Sequence, residues 1–226
     1  MSLLGMGALA MWWDVAPDMK AEFEDWHSHE HFPERMAIPG FRRGTRWTSA
    51  AGGDGIFVMY EVETRETLAS PQYVARLNRP SPWSTKMMPH HRNMVRCQCR
   101  VVESHGGAVS RDALTLRFSL ASDDAAPPRA YFKSLGQTVL SARGLIGGHL
   151  LQHDPPAIAQ TAEQKLRSAG DETADYVFVA CGYDRAALEE LAESQLGESL
   201  MAIGVAPGAV VGLYSLSHSA TRIDKC

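Results

Sequence analysis

The chain has 226 residues, 45% of them hydrophobic and 21% charged, with a formal net charge of −4. That is long enough for one large domain or two small ones, each able to bury a core, and the composition is that of an ordinary globular protein. The balance of charge removes the electrostatic case for a nucleic-acid partner, and no stretch nears the roughly 18–20 apolar residues of a membrane span.

Residues 1–11 are apolar but lack a basic leader and a small-residue cleavage site before Trp12-Trp13-Asp14, so they read as a first strand rather than a signal peptide. Ala16-Pro17-Asp18 opens a helix, with proline in the tolerated first turn. Met19, Phe23 and Trp26 give it one apolar face, and Pro33 is expected to interrupt it. Pro39-Gly40 leads into a second strand over 41–49. Gly52-Gly53-Asp54-Gly55 reads as a hairpin turn, and 56–63 as a third strand with Ile56, Val58, Tyr60 and Val62 on one face. A second helix, broken at Pro71 and again near Pro80 and Pro82, precedes a fourth strand over 95–103. After Gly106-Gly107 the order repeats. A strand over 114–120 is followed by a helix over about 128–143 and a strand over 145–152. A long polar connection rich in Ala, Gln and Glu, 154–174, read as partly helical, leads to a strand over 176–181. Asp184 then caps a helix closed by Gly197, and a last strand spans 209–217.

The predicted architecture is therefore α+β: two tandem ferredoxin-like βαββαβ halves, 1–106 and 107–226, closing as an intramolecular dimeric α/β-barrel. Gly40-Phe41-Arg42-Arg43-Gly44 against Gly144-Leu145-Ile146-Gly147-Gly148, and 56–68 against 176–188, echo each other in order and spacing. Each half makes a sheet with helices on one face only, so the other face needs cover. Space between sheet and helices is a usual place for a small-molecule pocket. Cys97, Cys99, Cys181 and Cys226 form neither a C-x-x-C pair nor a disulfide framework, which fits a reducing cytoplasm.

The chemistry concentrates in Trp26-His27-Ser28-His29-Glu30-His31-Phe32-Pro33. At about 100° per residue, His27 and Glu30 share the buried face, His31 flanks it and His29 points away. Two readings stand. In the bland one, Glu30 pairs with Arg43 or Arg46 and His31 caps the helix end, where histidine suits the macrodipole. In the sharper one, His31 is a general base or acid at a pocket rim and Glu30 orients it. The run also spells H-x-x-E-H, an inverted zinc-protease pattern. The interrupting Pro33 and the missing third ligand argue against a metal, and none is predicted.

Trp26…Glu30-His31-x-Pro33 followed by Pro39-Gly40-Phe41 resembles the signature of the EthD-like families of the dimeric α/β-barrel superfamily, over about residues 8–104. The tryptophan-to-histidine spacing is five here rather than four. The resemblance makes His31 the candidate catalytic histidine, with Pro33, Pro39 and Gly40 structural. It implies cofactor-free decarboxylation, cyclisation or oxygenation of an aromatic or polyketide-like molecule; haem-binding members also exist. No organic cofactor is predicted, with haem as the open exception.

All five tryptophans lie in the first half. Trp12, Trp26, Trp47 and Trp83, with Tyr60, are expected to line a pocket for a flat hydrophobic ligand; the plainer reading is that they fill the core. His90-His91 sits in a basic approach to the fourth strand; it offers a haem ligand or a base, but the plainer reading is a surface position. His149 and His153 share one side of their strand and offer a lining for a second cavity; the plainer reading is core or surface. The comparable helix of the second half offers Tyr131-Phe132-Lys133-Ser134 and no histidine. The function expected is a small-molecule enzyme or binder. A non-catalytic ligand-binding or haem-binding protein, or a scaffold that oligomerises through sheet edges, is the alternative.

Overall fold

Alternation along the strands decides which of three cores each side chain joins. The computed structural model describes residues 3–122, 128–167, 170–197 and 199–222. Its strands are β1 (Gly7–Val15), β2 (Phe41–Ser49), β3 (Gly55–Val62), β4 (His91–Gly106), β5 (Asp112–Phe118), β6 (Leu145–His153), β7 (Tyr176–Gly182) and β8 (Val210–Thr221). They pair in the order β4-β1-β3-β2 and, in the second half, β6-β7-β5-β8. Antiparallel seams β2·β8 and β4·β6 join the two sheets into one closed eight-stranded barrel. The α+β architecture expected from the sequence is the one found. Closure leaves no sheet edge free among these strands, so oligomerisation through edges, left open above, has no edge to use.

Along β1, Ala8, Ala10 and Trp12 point into the barrel, while Leu9, Trp13 and Val15 point out beneath the helices. Both faces are buried. The barrel interior is filled by residues of both halves, with Phe57 stacked on Trp12 and Trp47 at centroid distances of 4.9 and 5.0 Å. Cys97, Cys99 and Cys181 complete this filling as free, buried thiols. Burial pushes the Cys99 thiol well up and that of Cys181 to about 12, which keeps them unreactive. Cys226 lies outside the described residues. Among the described residues no helix is long and apolar enough to cross a membrane.

Three boundaries depart from expectation. Pro33 does not end the first helix: α1 (Lys20–Trp26) passes through a π turn, His27–His31, into α2 (Phe32–Met36). The Phe32 N–H reaches back five residues to the His27 carbonyl. This wider turn relieves the clash a proline ring makes with the carbonyl four residues earlier. Pro71 and Pro82 start helices instead of breaking one. They open α3 (Pro71–Leu77) and α4 (Pro82–Met87), each capped by the preceding serine; Ser70 Oγ accepts from the Tyr73 N–H and Ser81 Oγ from the Ser84 N–H. Finally, β4 runs on at both ends: His91 and Arg92 pair with Val15 and Asp14 of β1, and Gly106 pairs with Gly147 across the seam.

That seam is tight. A Cβ on Gly147 would stand 2.0 Å from the Gly107 carbonyl oxygen, a backbone atom with nowhere to go. Gly147→Ala is therefore expected to destabilise by at least about 1–3 kcal/mol, the range for an overpacked site. Urea denaturation checks this; an unchanged midpoint would mean the seam is looser than described.

Candidate functional site

The π turn sets the site. It stacks the His27 and His31 rings 5.2 Å apart on the face turned to the sheet, with Trp26 packed 4.6 Å from His31. One turn further, Arg35 is 2% exposed. His27, His31 and Arg35 form one wall of a cavity between the outer face of the first sheet and its helices. Leu9, Met11 and Trp13 of β1, Tyr60 of β3 and Tyr73 of α3 line it further, together with His91 and Arg96 of β4. The cavity measures about 40 Å³, enough for one or two water-sized groups.

The remaining wall comes from the second half. The connection after β6 crosses over and lays α6 (Ala162–Leu166) on the cavity, contributing Thr161, Glu163, Gln164 and Arg167. Thr161 caps this turn: its hydroxyl accepts from the Gln164 N–H and its own N–H donates to Gln164 Oε1. Arg35 Nη2 donates to both Glu163 oxygens at 2.7 and 2.6 Å. Burial works against the Arg35 charge, but Glu163 more than offsets it and holds the guanidinium above its usual range. The sequence marked this segment as a polar, partly helical connection, and α6 is that helical part. Its one legible signal is the T-x-x-Q capping box at Thr161–Gln164.

His31 is neutral in this setting. Burial, then the nearby Arg35 charge, then His27 and His91 depress its pKa well below the ordinary value. Its Nδ1 is buried and has no hydrogen-bond partner among the described residues. The same holds for Trp13 Nε1, Arg35 Nη1 and Tyr60 OH, all on lining residues. Burial also raises the Tyr60 phenol, so it stays protonated. His91 Nδ1 lies 3.2 Å from both the Met87 and Met88 carbonyls, and burial lowers its pKa to about 4. The expectation of a surface position does not hold for His91, whose ring packs on Trp13, Phe23 and Trp26.

Of the residues singled out from sequence, His31 and Tyr60 meet at the cavity, and Trp26 backs His31 without lining it. Trp12 and Trp47 lie inside the barrel, on the opposite face of the sheet. Trp13, one residue along, takes the outward face because successive strand residues alternate. Trp83 packs at the margin and donates to Glu22 at 3.2 Å. Glu30 makes no hydrogen bond to His31. Its Oε1 accepts from Trp26 Nε1 at 3.1 Å, from Ser81 and from Ser84 at 3.4 Å, tying the first helix to α4.

The expected Glu30–arginine pair is absent. Arg43 is held by Glu61 at 2.7 Å, and Arg46 reaches Ser28, Ser217 and His27 Nδ1. Nor does His31 cap a helix end, since the helix continues to Met36. Among the described residues no group of three His, Cys, Asp or Glu is placed to share a metal ion. His149 is fully buried, with Nδ1 2.9 Å from Ser104 Oγ and Nε2 3.1 Å from the Gly107 carbonyl. It pins the β4·β6 seam.

No protein-family model matches the chain, and no curated protein does. Solved structures do. The crystal structure of an anthrone oxidase-like protein superposes with a TM-score of 0.65 over 100% of this chain and 98% of that one, at 12% identity. A putative monooxygenase from Fusobacterium nucleatum subsp. nucleatum gives 0.61 over 97% and 96%, at 8% identity. Another from Lactobacillus acidophilus NCFM gives 0.59 over 96% and 97%, at 10% identity. At such identities the likeness is one of fold, spanning both halves of the barrel.

Proposed function

We propose that this chain is a small-molecule enzyme of the EthD-like kind, in which His31 moves a proton on a hydrophobic, aromatic-type substrate without an organic cofactor. One observation carries the reading: a neutral histidine with an unpartnered Nδ1 on the wall of an aromatic-lined cavity. A neutral imidazole can take a proton from an acidic C–H or O–H, and the depressed pKa returns it readily. Among the reactions the resemblance implies, oxygenation is favoured by the names of the structural neighbours, an anthrone oxidase-like protein and two putative monooxygenases. Tyr73 would orient the ring from the cavity wall, with Trp26 backing His31; Glu30 fixes the helix that carries His31 and does not act on it directly.

The cavity, about 40 Å³, is smaller than an aromatic ring system, so on this reading it widens to take substrate, and we place that movement in residues 161–167, which cover it from the second half. A porphyrin is larger still, and haem does not fit these residues as they stand. We also infer that 1–106 and 107–226 derive from one duplicated unit whose second copy lost the site. The equivalent helix α5 (Arg129–Ser141) turns Phe132 and Leu135 inward and carries no histidine.

The test is ligand-observed NMR and oxygen-uptake assay with a panel of hydroxylated aromatic compounds, on wild type and His31→Ala. Turnover by the wild type should fall at least about 100-fold in the variant, the lower end of general acid–base contributions. Binding without turnover in either protein would instead favour a non-catalytic ligand carrier.

A further inference from the structure

The His31 cavity carries more positive charge than its own residues neutralise. Its lining holds three guanidiniums, Arg35, Arg96 and Arg167, and one carboxylate, Glu163. Glu163 is taken by Arg35, and Arg167 is answered from just outside by Asp171 at 2.8 Å. Among the described residues, Arg96, 9% exposed, has only neutral side-chain partners: Gln98 Oε1 at 2.9 Å and the Tyr73 hydroxyl at 3.3 Å. Two further carboxylates near the cavity are engaged elsewhere. Glu34 pairs with Arg76, and Glu30 is held by Trp26, Ser81 and Ser84. A buried charge without a counter-charge is costly.

The unpartnered atoms point the same way. Trp13 Nε1 and Arg35 Nη1 can only donate, and Tyr60 OH donates readily. Each is buried without a partner among the described residues, and three such donors around one cavity ask for an acceptor. We propose that the cavity binds an organic anion with its charge on oxygen, a carboxylate or a phenolate, held by Arg96, Arg35 Nη1, Tyr60 OH and Trp13 Nε1. The inference rests on the cavity being the ligand site, and it names the ligand's chemistry. In the closed arrangement the space suits the charged head, with the apolar body following past residues 161–167.

Calorimetric titration tests it with two matched pairs: acetate against acetamide, and 4-nitrophenolate against 4-nitroanisole. The wild type should prefer at least one anion over its neutral partner by tenfold or more, and the winning pair identifies carboxylate or phenolate. Tyr60→Phe should weaken that anion about tenfold, as loss of a hydrogen bond to a charged group does, and leave the neutral compound unchanged. Arg96→Gln should abolish the preference. Tyr60 OH has no described protein partner to lose, so Tyr60→Phe folds even if the arginine variant does not. Equal binding of anion and neutral compound, no binding of either anion, or an unaltered preference in Tyr60→Phe overturns the proposal. Its failure is separable from that of the His31 reading. Absent anion preference with turnover still lost in His31→Ala removes only the anion site, whereas anion binding without any turnover removes only the proton transfer.

Discussion

Stability is expected to fall steeply as the pH drops from about 6.5 to 4, because buried histidines are kept neutral by the fold. Burial is the main cause at His27, His31, His91 and His149, and a neighbouring arginine adds to it at each. An unfolded histidine titrates near 6.5. Below that pH the unfolded chain takes up protons that the native chain refuses, so stability rises with pH across the window and is complete above it. His91 and His149 titrate at about 4 in the fold, so each forfeits about 3 kcal/mol by pH 4. His27 and His31 act in the same direction. Urea denaturation followed by tryptophan fluorescence at pH 7.5 and 4.5 measures the loss. His91→Gln should flatten the profile by about one proton, since it removes one of the refusing groups. Equal stability at the two pH values would show that these rings are hydrated or protonated in the native state.

The acid-sensitive cluster was only partly visible beforehand, and the reason is general to this fold. The bounds of β2 and the repeat of βαββαβ follow from alternation and turn residues, which act locally. Which face of β1 meets the cavity does not follow, because both faces of that strand are mostly buried and apolar. Trp12 and Trp13 are therefore interchangeable on paper, yet one lies in the barrel and the other on the cavity. His31 was legible as a polar group flanking an apolar helix face. Glu30 was legible as buried, but its partners Ser81 and Ser84 lie more than fifty residues away. Proline at position 33 argued for a helix end, and the π turn that accommodates it leaves no mark in the composition. The wall supplied by 161–167 depends on a crossover between halves, which spacing along the chain does not encode.

Removing the Glu163 carboxylate should be the most damaging single change at that wall. Glu163→Ala leaves the Arg35 guanidinium buried at 2% exposure with no counter-charge, and breaking such a pair from one side costs about 3–5 kcal/mol. The contact spans 128 residues of chain and joins the two halves, so its loss should also free residues 161–167. Equilibrium denaturation of Glu163→Ala, of Arg35→Met and of Arg35→Met/Glu163→Met separates the cost of an unpaired charge from the worth of the pair. Each single variant should lose most of that energy and the double variant should recover most of it, since apolar replacement of a buried pair is often neutral. A single variant as stable as the wild type would mean that water reaches Arg35 and that the wall is not closed. A double variant that is stable but no longer binds anions would place the value of the pair in the cavity. Glu163 holds Arg35 by Nη2 and thereby leaves Nη1 for the ligand, an arrangement that a purely structural contact has no reason to keep.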